Sequence, residues 1–459
     1  MKITPILLAA GQGTRMKSRL PKVLHPVCGE PMIEFALRAA WEASTELPVV
    51  VVGHGADSVR EFLGDAARCV IQDPPLGTGH AVLQAESLLR DQTDLVLVTY
   101  ADMPLLRPET LKQLVETQKK NRGPITIMTV VTSDPRGFGR VVRGPDGSVQ
   151  AIVEEVAATP EQLSIKELNA GAYCFRAEWL WEALHRIPVS KAGEYFLTDT
   201  VGLAAADGLK VKAVINDNLV DTIGINTRVQ LAEAESAMRD RINTGHMLGG
   251  VTLVDPASTF IEPDVVIGRD TVIWPNTHLR GETVIGEDCV IGPETIITDS
   301  KIGNSCKVMK SVLEGALLED GVDMGPFARL RKGAHLCAGV HMGNFGEVKD
   351  STLGPGTKMG HFSYIGNATI GPNVNIGAGT ITCNFDGENK FPTEIGEGAF
   401  IGSDTMLVAP VKLGAGARTG AGAVVTRDVE SDTLVVGVPA RAIKKLERKN
   451  REQAGKNKV

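Results

Sequence analysis

At 459 residues the chain exceeds what one ordinary hydrophobic core organises, so two or three domains are expected. Charged residues make up 22% and hydrophobic ones 43%, the balance of a folded soluble protein, and a net charge of −7 leaves no electrostatic footprint for nucleic acid. The opening run, MKITPILLAAGQGTR, is too short and too soon broken by glycine for a signal peptide, and no stretch nears the roughly 18 apolar residues that span a membrane.

From 1 to 226 short apolar runs alternate with helical segments. Strands are expected at 4–9, 48–52, 95–100, 125–131 and 172–175, and helices at 32–43, 78–89 and 108–119. This alternation implies an α/β unit on a mainly parallel sheet, with ligand chemistry at the strand ends. The first strand runs into Gly11 and Gly13, where backbone N–H groups can close on phosphate oxygens, and Arg15 and Lys22 add positive charge. The run lacks both GxGxxG and GK[ST], which removes the dinucleotide-binding and P-loop readings. Asn226 stands where an N-cap belongs, ahead of a connecting helix within 227–249.

After Gly250 the pattern changes to a six-residue period. Ile261, Ile267, Ile273, Leu279, Ile285, Ile291 and Ile297 stand six apart, and a second register carries small residues from Thr259 and Thr271 through Thr277, Thr283, Cys289 and Thr295. Six is a multiple of two but not of 3.6, so a helix would smear these residues around its circumference. A coil with flat six-residue faces stacks them into inward columns. A parallel β-helix is therefore expected over 250–440, interrupted at 382–393 by a polar excursion, with a basic flexible tail over 441–459. The odd count of seven cysteines, without a CxxC or Cys/His ligand set, argues for a reducing cytoplasm, and Cys289 and Cys306 read as core filler. His278, His335 and His341 read as surface residues.

The string LAAGQGTRM with the later PKVL resembles the signature of sugar-1-phosphate nucleotidyltransferases. By that resemblance Leu8, Ala9, Ala10 and Gly11 contact the uracil and phosphates of UTP, while Arg15 and Lys22 stabilise the triphosphate and its transition state. Gln72, Gly77 and Thr78 resemble a uridine-reading loop. Tyr100, Ala101 and Asp102 end an apolar strand, with Ala101 where the family usually has glycine. Asp102 and Asn226 resemble its two Mg²⁺ ligands. Gly139, Glu154 and Asn169 match its N-acetylglucosamine contacts, with Val156 where a lysine is common. The sugar phosphate is already anionic, so this chemistry needs alignment and charge neutralisation rather than a protein base.

In the repeat region GHFSYIG resembles the acetyltransferase site of the bacterial bifunctional enzymes of UDP-N-acetylglucosamine synthesis, and the resemblance runs from about Ile6 to Pro439. It implies a left-handed β-helix and makes His361 the general base that frees the amine of glucosamine-1-phosphate to attack acetyl-CoA. An ammonium cannot attack a thioester, and histidine titrates near neutrality. Arg331, Lys349, Tyr364, Asn375 and Lys390 then hold the sugar phosphate. Ala378, Asn384, Phe385, Ser403 and Ala421 border acetyl-CoA, with Phe385 in place of a more usual tyrosine. The same resemblance implies a cytoplasmic homotrimer that supplies cell-wall and lipopolysaccharide precursors and has no nucleic-acid or membrane partner. Two other readings compete: a monofunctional nucleotidyltransferase with an assembly β-helix, and a non-catalytic scaffold. The length of the helix and His361 argue against the first; Arg15, Lys22 and Asp102 argue against the second.

Overall fold

β-Branched and aliphatic runs build the first sheet. Its strands lie in the order Val211–Ile215, Ile125–Val131, Glu167–Arg176, Leu95–Tyr100, Ile3–Ala9, Val49–Val52, Arg68–Ile71. The computed structural model describes residues 1–191 and 193–445, which divide into a unit Met1–Met238 and a second from Arg239 onward. The four strands from Leu95–Tyr100 to Arg68–Ile71 are parallel, so their carboxyl ends open on one edge.

Glu167–Arg176 departs from the expected parallel pattern, running antiparallel to both neighbours, and it starts five residues before the expected 172. Its ladder shifts register between Asn169 and Tyr173, where Gly171 adopts φ +78°. A Cβ there would lie 3.1 Å from the Tyr100 ring, so glycine lets the bulge bring Asn169 and Tyr100 together. The strands Arg68–Ile71, Arg140–Arg143, Val149–Val153 and Val211–Ile215 were not expected. Each is short and partly exposed, so its residues do not form an apolar run.

The connecting helix spans Arg228–Leu248, within the expected 227–249, but its cap falls one residue later than expected. Thr227 Oγ1 accepts from the Gln230 N–H (3.2 Å), while Gln230 Oε1 accepts from the Thr227 N–H (3.1 Å). This reciprocal pair is a capping box on Thr227, which leaves the Asn226 side chain free for another partner.

In the second unit the period-six columns become three stacked sheets, each strand pairing in parallel with its counterpart one coil on. Ile273, Leu279, Ile285, Ile291 and Ile297 are buried in one core with Cys289 and Cys306. The small-residue register is buried too, and its hydroxyls are satisfied locally: Thr277 Oγ1 donates to the Trp274 carbonyl (2.7 Å) and Thr283 Oγ1 to that of Arg280 (2.6 Å). A larger side chain would lose both the fit and the hydrogen bond. Gly343 keeps the coils in contact, since a Cβ there would overlap the Gly360 carbonyl.

The register partners Ile395 and Leu413 stand 18 residues apart, whereas Ile370 and Ile395 stand 25 apart. The surplus forms a projecting loop pinned by a bridge between Phe385 and Lys390. The expected tail needs correction at its start, because Arg441–Lys445 pairs antiparallel with Thr433–Val436. Its remainder, 446–459, lies outside the described residues.

Candidate active sites

A cleft of about 610 Å³ opens beside the carboxyl ends of Ile3–Ala9 and Leu95–Tyr100. Leu8, Ala9, Ala10, Gly11, Arg15, Lys22, Gln72, Gly77, Thr78, Tyr100 and Asp102 line it together. Gly13 turns at φ +62°, and a Cβ there would come within 2.8 Å of Lys22 Cβ, so the glycine lets its loop close over the lysine. Ala101 is fully buried, and its N–H donates to the Leu8 carbonyl (3.1 Å), fixing the strand end that carries Asp102.

Lys22 and Asp102 form an ion pair whose side chains are only 11% and 16% exposed, and the same ammonium donates to Asn226 Oδ1 at 3.1 Å. Two oxygens from distant parts of the chain thus converge on one cationic position. A carboxylate and an amide carbonyl are hard oxygen donors of the kind magnesium takes, so this pair fits that ion. Gln72 Nε2 donates to the Gly77 carbonyl (2.9 Å), which ties Gln72 to the 76–79 loop.

The three residues that resemble sugar contacts lie close together. The Asn169 N–H donates to the Gly139 carbonyl (2.8 Å), a Cβ on Gly139 would lie 3.6 Å from Glu154 Oε2, and Asn169 Nδ2 donates to the Tyr173 hydroxyl (2.6 Å). Tyr173 and Thr78 hydrogen-bond Tyr100, whose phenol is pushed well above its ordinary value by burial and by the carboxylates of Glu154 and Asp102. Tyr100 therefore stays protonated and uncharged. Val156 is 92% exposed, so the side chain at the family's lysine position turns to solvent.

One contributing segment carried no signal in the sequence. Glu194 and Phe196 line the cleft, Thr198 Oγ1 donates to Glu154 Oε1 (2.8 Å), and the Leu197 N–H donates to Thr78 Oγ1 (2.9 Å). These residues have no periodicity; only the fold zips them onto the 76–79 loop.

In the second unit a groove of about 800 Å³ brings together His361, Asn375, Ala378, Ser403 and Ala421. Gly360, Gly377, Gly402 and Gly420 also line it, so successive coils present a wall of small residues along which an extended ligand can lie. His361 is exposed on that wall. His341 lines the same groove and pairs with Asp323 (3.1 Å). His278 departs from the surface reading: it stacks on Phe260 with centroids 4.5 Å apart, and burial pushes its imidazole below the ordinary value.

The other residues expected at the acetyl-transfer site lie outside that groove's lining. The strands Gly346–Lys349 and Ser363–Gly366 pair side by side, which sets Tyr364 in register with Glu347 and Lys349 with Gly366. A Cβ on Gly366 would lie 2.8 Å from the Tyr364 ring and 2.9 Å from Asn384 Nδ2, so the missing side chain makes room for both. Lys390 is held below its ordinary value by the adjoining Lys349 ammonium and by Arg331, while Arg331 donates to Glu347 Oε1 (3.1 Å). Three cations held close enough to repel one another fit a phosphate. Phe385 is exposed on the loop that carries Lys390.

Residues 5–186 match the model of the MobA-like NTP transferase domain, and 264–299 and 392–427 match that of the bacterial transferase hexapeptide with its six repeats. Curated relatives align over nearly the whole chain. The bifunctional protein GlmU of Fervidobacterium nodosum is 47% identical over 98% of both chains, and that of Heliobacterium modesticaldum 47% over 95% of both. The Shouchella clausii protein is 44% identical over 94% of this chain and 95% of its own. This chain belongs to the bifunctional GlmU family. Its fold is accordingly a Rossmann-like α/β nucleotidyltransferase unit followed by a left-handed parallel β-helix of hexapeptide repeats. Among the described residues no helix is long and apolar enough to cross a membrane.

Proposed function

We propose that this GlmU-family chain makes UDP-N-acetylglucosamine in two steps. The β-helix acetylates glucosamine-1-phosphate with acetyl-CoA, and the α/β unit transfers UMP from UTP to the product, releasing pyrophosphate. The observation that carries this reading is that each unit holds a full set of reacting groups: Arg15, Lys22, Asp102 and Asn226 in one, His361 with the Arg331, Lys349 and Lys390 cations in the other.

In acetyl transfer His361 takes a proton from the substrate ammonium, and the freed amine attacks the thioester carbonyl. The amide forms as the carbon–sulfur bond breaks, and CoA leaves as its thiol once protonated. The cation cluster grips the sugar phosphate, and the groove of small residues takes the CoA chain. In uridylyl transfer the sugar-phosphate oxygen attacks the α-phosphorus of UTP, and Arg15 and Lys22 offset the charge that builds on the departing pyrophosphate. Magnesium held by Asp102 and Asn226 supplies further charge neutralisation on the triphosphate. Gln72, Gly77 and Thr78 read the base, while Gly139, Glu154 and Asn169 hold the sugar.

The prism with three strand-built faces fits a homotrimer, and the working compartment is the cytoplasm. The test supplies glucosamine-1-phosphate, acetyl-CoA, UTP and Mg²⁺. CoA, pyrophosphate and UDP-N-acetylglucosamine are all expected; CoA without pyrophosphate, or the reverse, contradicts a bifunctional enzyme.

A further inference from the structure

On the outer surface of the β-helix one set of side chains belongs to neither reaction. Glu319, His335 and Cys337 place a carboxylate oxygen, an imidazole nitrogen and a thiol sulfur within 4.8 Å of one another, the one such His/Cys/Asp/Glu trio among the described residues. The repeat puts them there. Leu318 and Leu336 pair in register and point into the core, so Glu319 lies against Cys337 on the next coil. His335 and Cys337 flank the inward Leu336 and therefore share the outward face.

We propose that Glu319, His335 and Cys337 form a binding site for a borderline divalent cation of the zinc class, clipping two successive coils. His335 Nε2 lies 2.8 Å from Glu319 Oε1 and 3.8 Å from Cys337 Sγ. Zinc bonds of about 2.0 Å to nitrogen or oxygen and about 2.3 Å to sulfur set tetrahedral ligand separations of roughly 3.3–3.5 Å. Toward the imidazole nitrogen the sulfur has a few tenths of an ångström to close, and the carboxylate oxygen opens from it by about half an ångström when metal bonds replace their contact. Glu319 Oε2 accepts from the Ala338 N–H at 2.9 Å, which orients the carboxylate as an outer partner orients a metal ligand.

The Cys337 thiol joins the Glu–His pair through a hydrogen bond with the Glu319 carboxylate, so all three groups converge on one point. The nitrogen–sulfur–oxygen mixture selects zinc-like ions over magnesium, which takes oxygen alone. Binding releases the Cys337 thiol proton to solvent and leaves His335 neutral. Three protein ligands on a surface leave the fourth position to water.

The test uses the full chain, stripped with chelator and kept in excess Mg²⁺ so that the oxygen site of the first unit is filled. Zn²⁺ titration against a chromophoric chelator is expected to show one equivalent bound, and Co²⁺ to give thiolate-to-cobalt charge-transfer absorption. Cys337→Ala should abolish that absorption and weaken Zn²⁺ binding by at least about tenfold, a loss at least as large as that from removing an outer-shell partner. Glu319→Gln should weaken binding while keeping the absorption. Circular dichroism of both variants checks that the coils still stack. A wild-type Co²⁺ spectrum without the thiolate band, or Cys337→Ala binding Zn²⁺ as the wild type does, overturns the site and leaves an ion pair beside a bystander thiol.

Discussion

The nucleotide cleft is assembled from stretches far apart in sequence, whereas the acetyl-transfer groove is assembled from one position of successive coils. Lys22 lies 80 residues from Asp102 and 204 from Asn226. The groove instead repeats itself, with Gly360, Gly377, Gly402 and Gly420 recurring along one wall. The first arrangement recesses its charges, where a lowered dielectric strengthens them against a developing pyrophosphate. The second leaves His361 exposed on an open track, suited to a long ligand and a mobile proton. A non-repeating fold concentrates charge; a repeating one supplies length.

Metal removal should break the two apart most sharply. EDTA is expected to abolish uridylyl transfer, because the oxygens of Asp102 and Asn226 then hold no ion for the triphosphate, and to leave acetyl transfer at its untreated rate. Assaying pyrophosphate and CoA release on one treated sample checks this, and equal loss of both contradicts the division.

The next effect is smaller and opposite in direction. His361→Ala should lower acetyl transfer by about a hundred- to ten-thousand-fold, the usual cost of losing a general base. Uridylyl transfer from ready-made N-acetylglucosamine-1-phosphate should stay at the wild-type rate. A structural role for this histidine predicts a lower melting temperature instead, so both activities and the melt belong on one preparation.

The smallest effect sharpens the assignment of the cation cluster. Lys390→Ala should raise KM for glucosamine-1-phosphate by about tenfold, the scale of one charge-assisted hydrogen bond, with little change in kcat. Because Lys390 is strained by Lys349 and Arg331, the variant should melt no lower than the wild type in the absence of substrate. A drop in kcat at constant KM would place Lys390 in the chemistry rather than in binding.

The same contrast decides what could be read from the sequence. The period of six made the columns from Ile261 to Ile297 legible, because a residue that recurs in phase must meet the same environment in every coil. Lys22 could be read as charge beside a glycine loop, but only motif resemblance joined it to Asp102 and Asn226, since no local pattern links residues so distant. The edge strand Arg68–Ile71 and the segment with Glu194, Phe196 and Thr198 were not legible. Their placement depends on what packs against them, and neither has an apolar rhythm of its own. The helix cap was misplaced by one residue because Asn226 and Thr227 are both good caps, and only the Gln230 contact chooses between them.

The claim that one chain holds two autonomous sites joined by a free intermediate is tested most directly by mixing two variants. His361→Ala and Asp102→Ala are each supplied with glucosamine-1-phosphate, acetyl-CoA, UTP and Mg²⁺, alone and then together. Each alone should form almost no UDP-N-acetylglucosamine, and the Asp102→Ala sample should accumulate N-acetylglucosamine-1-phosphate. The mixture should restore product at a rate set by the intact sites. A mixture as inactive as its parts, with both variants still folded, would contradict the account.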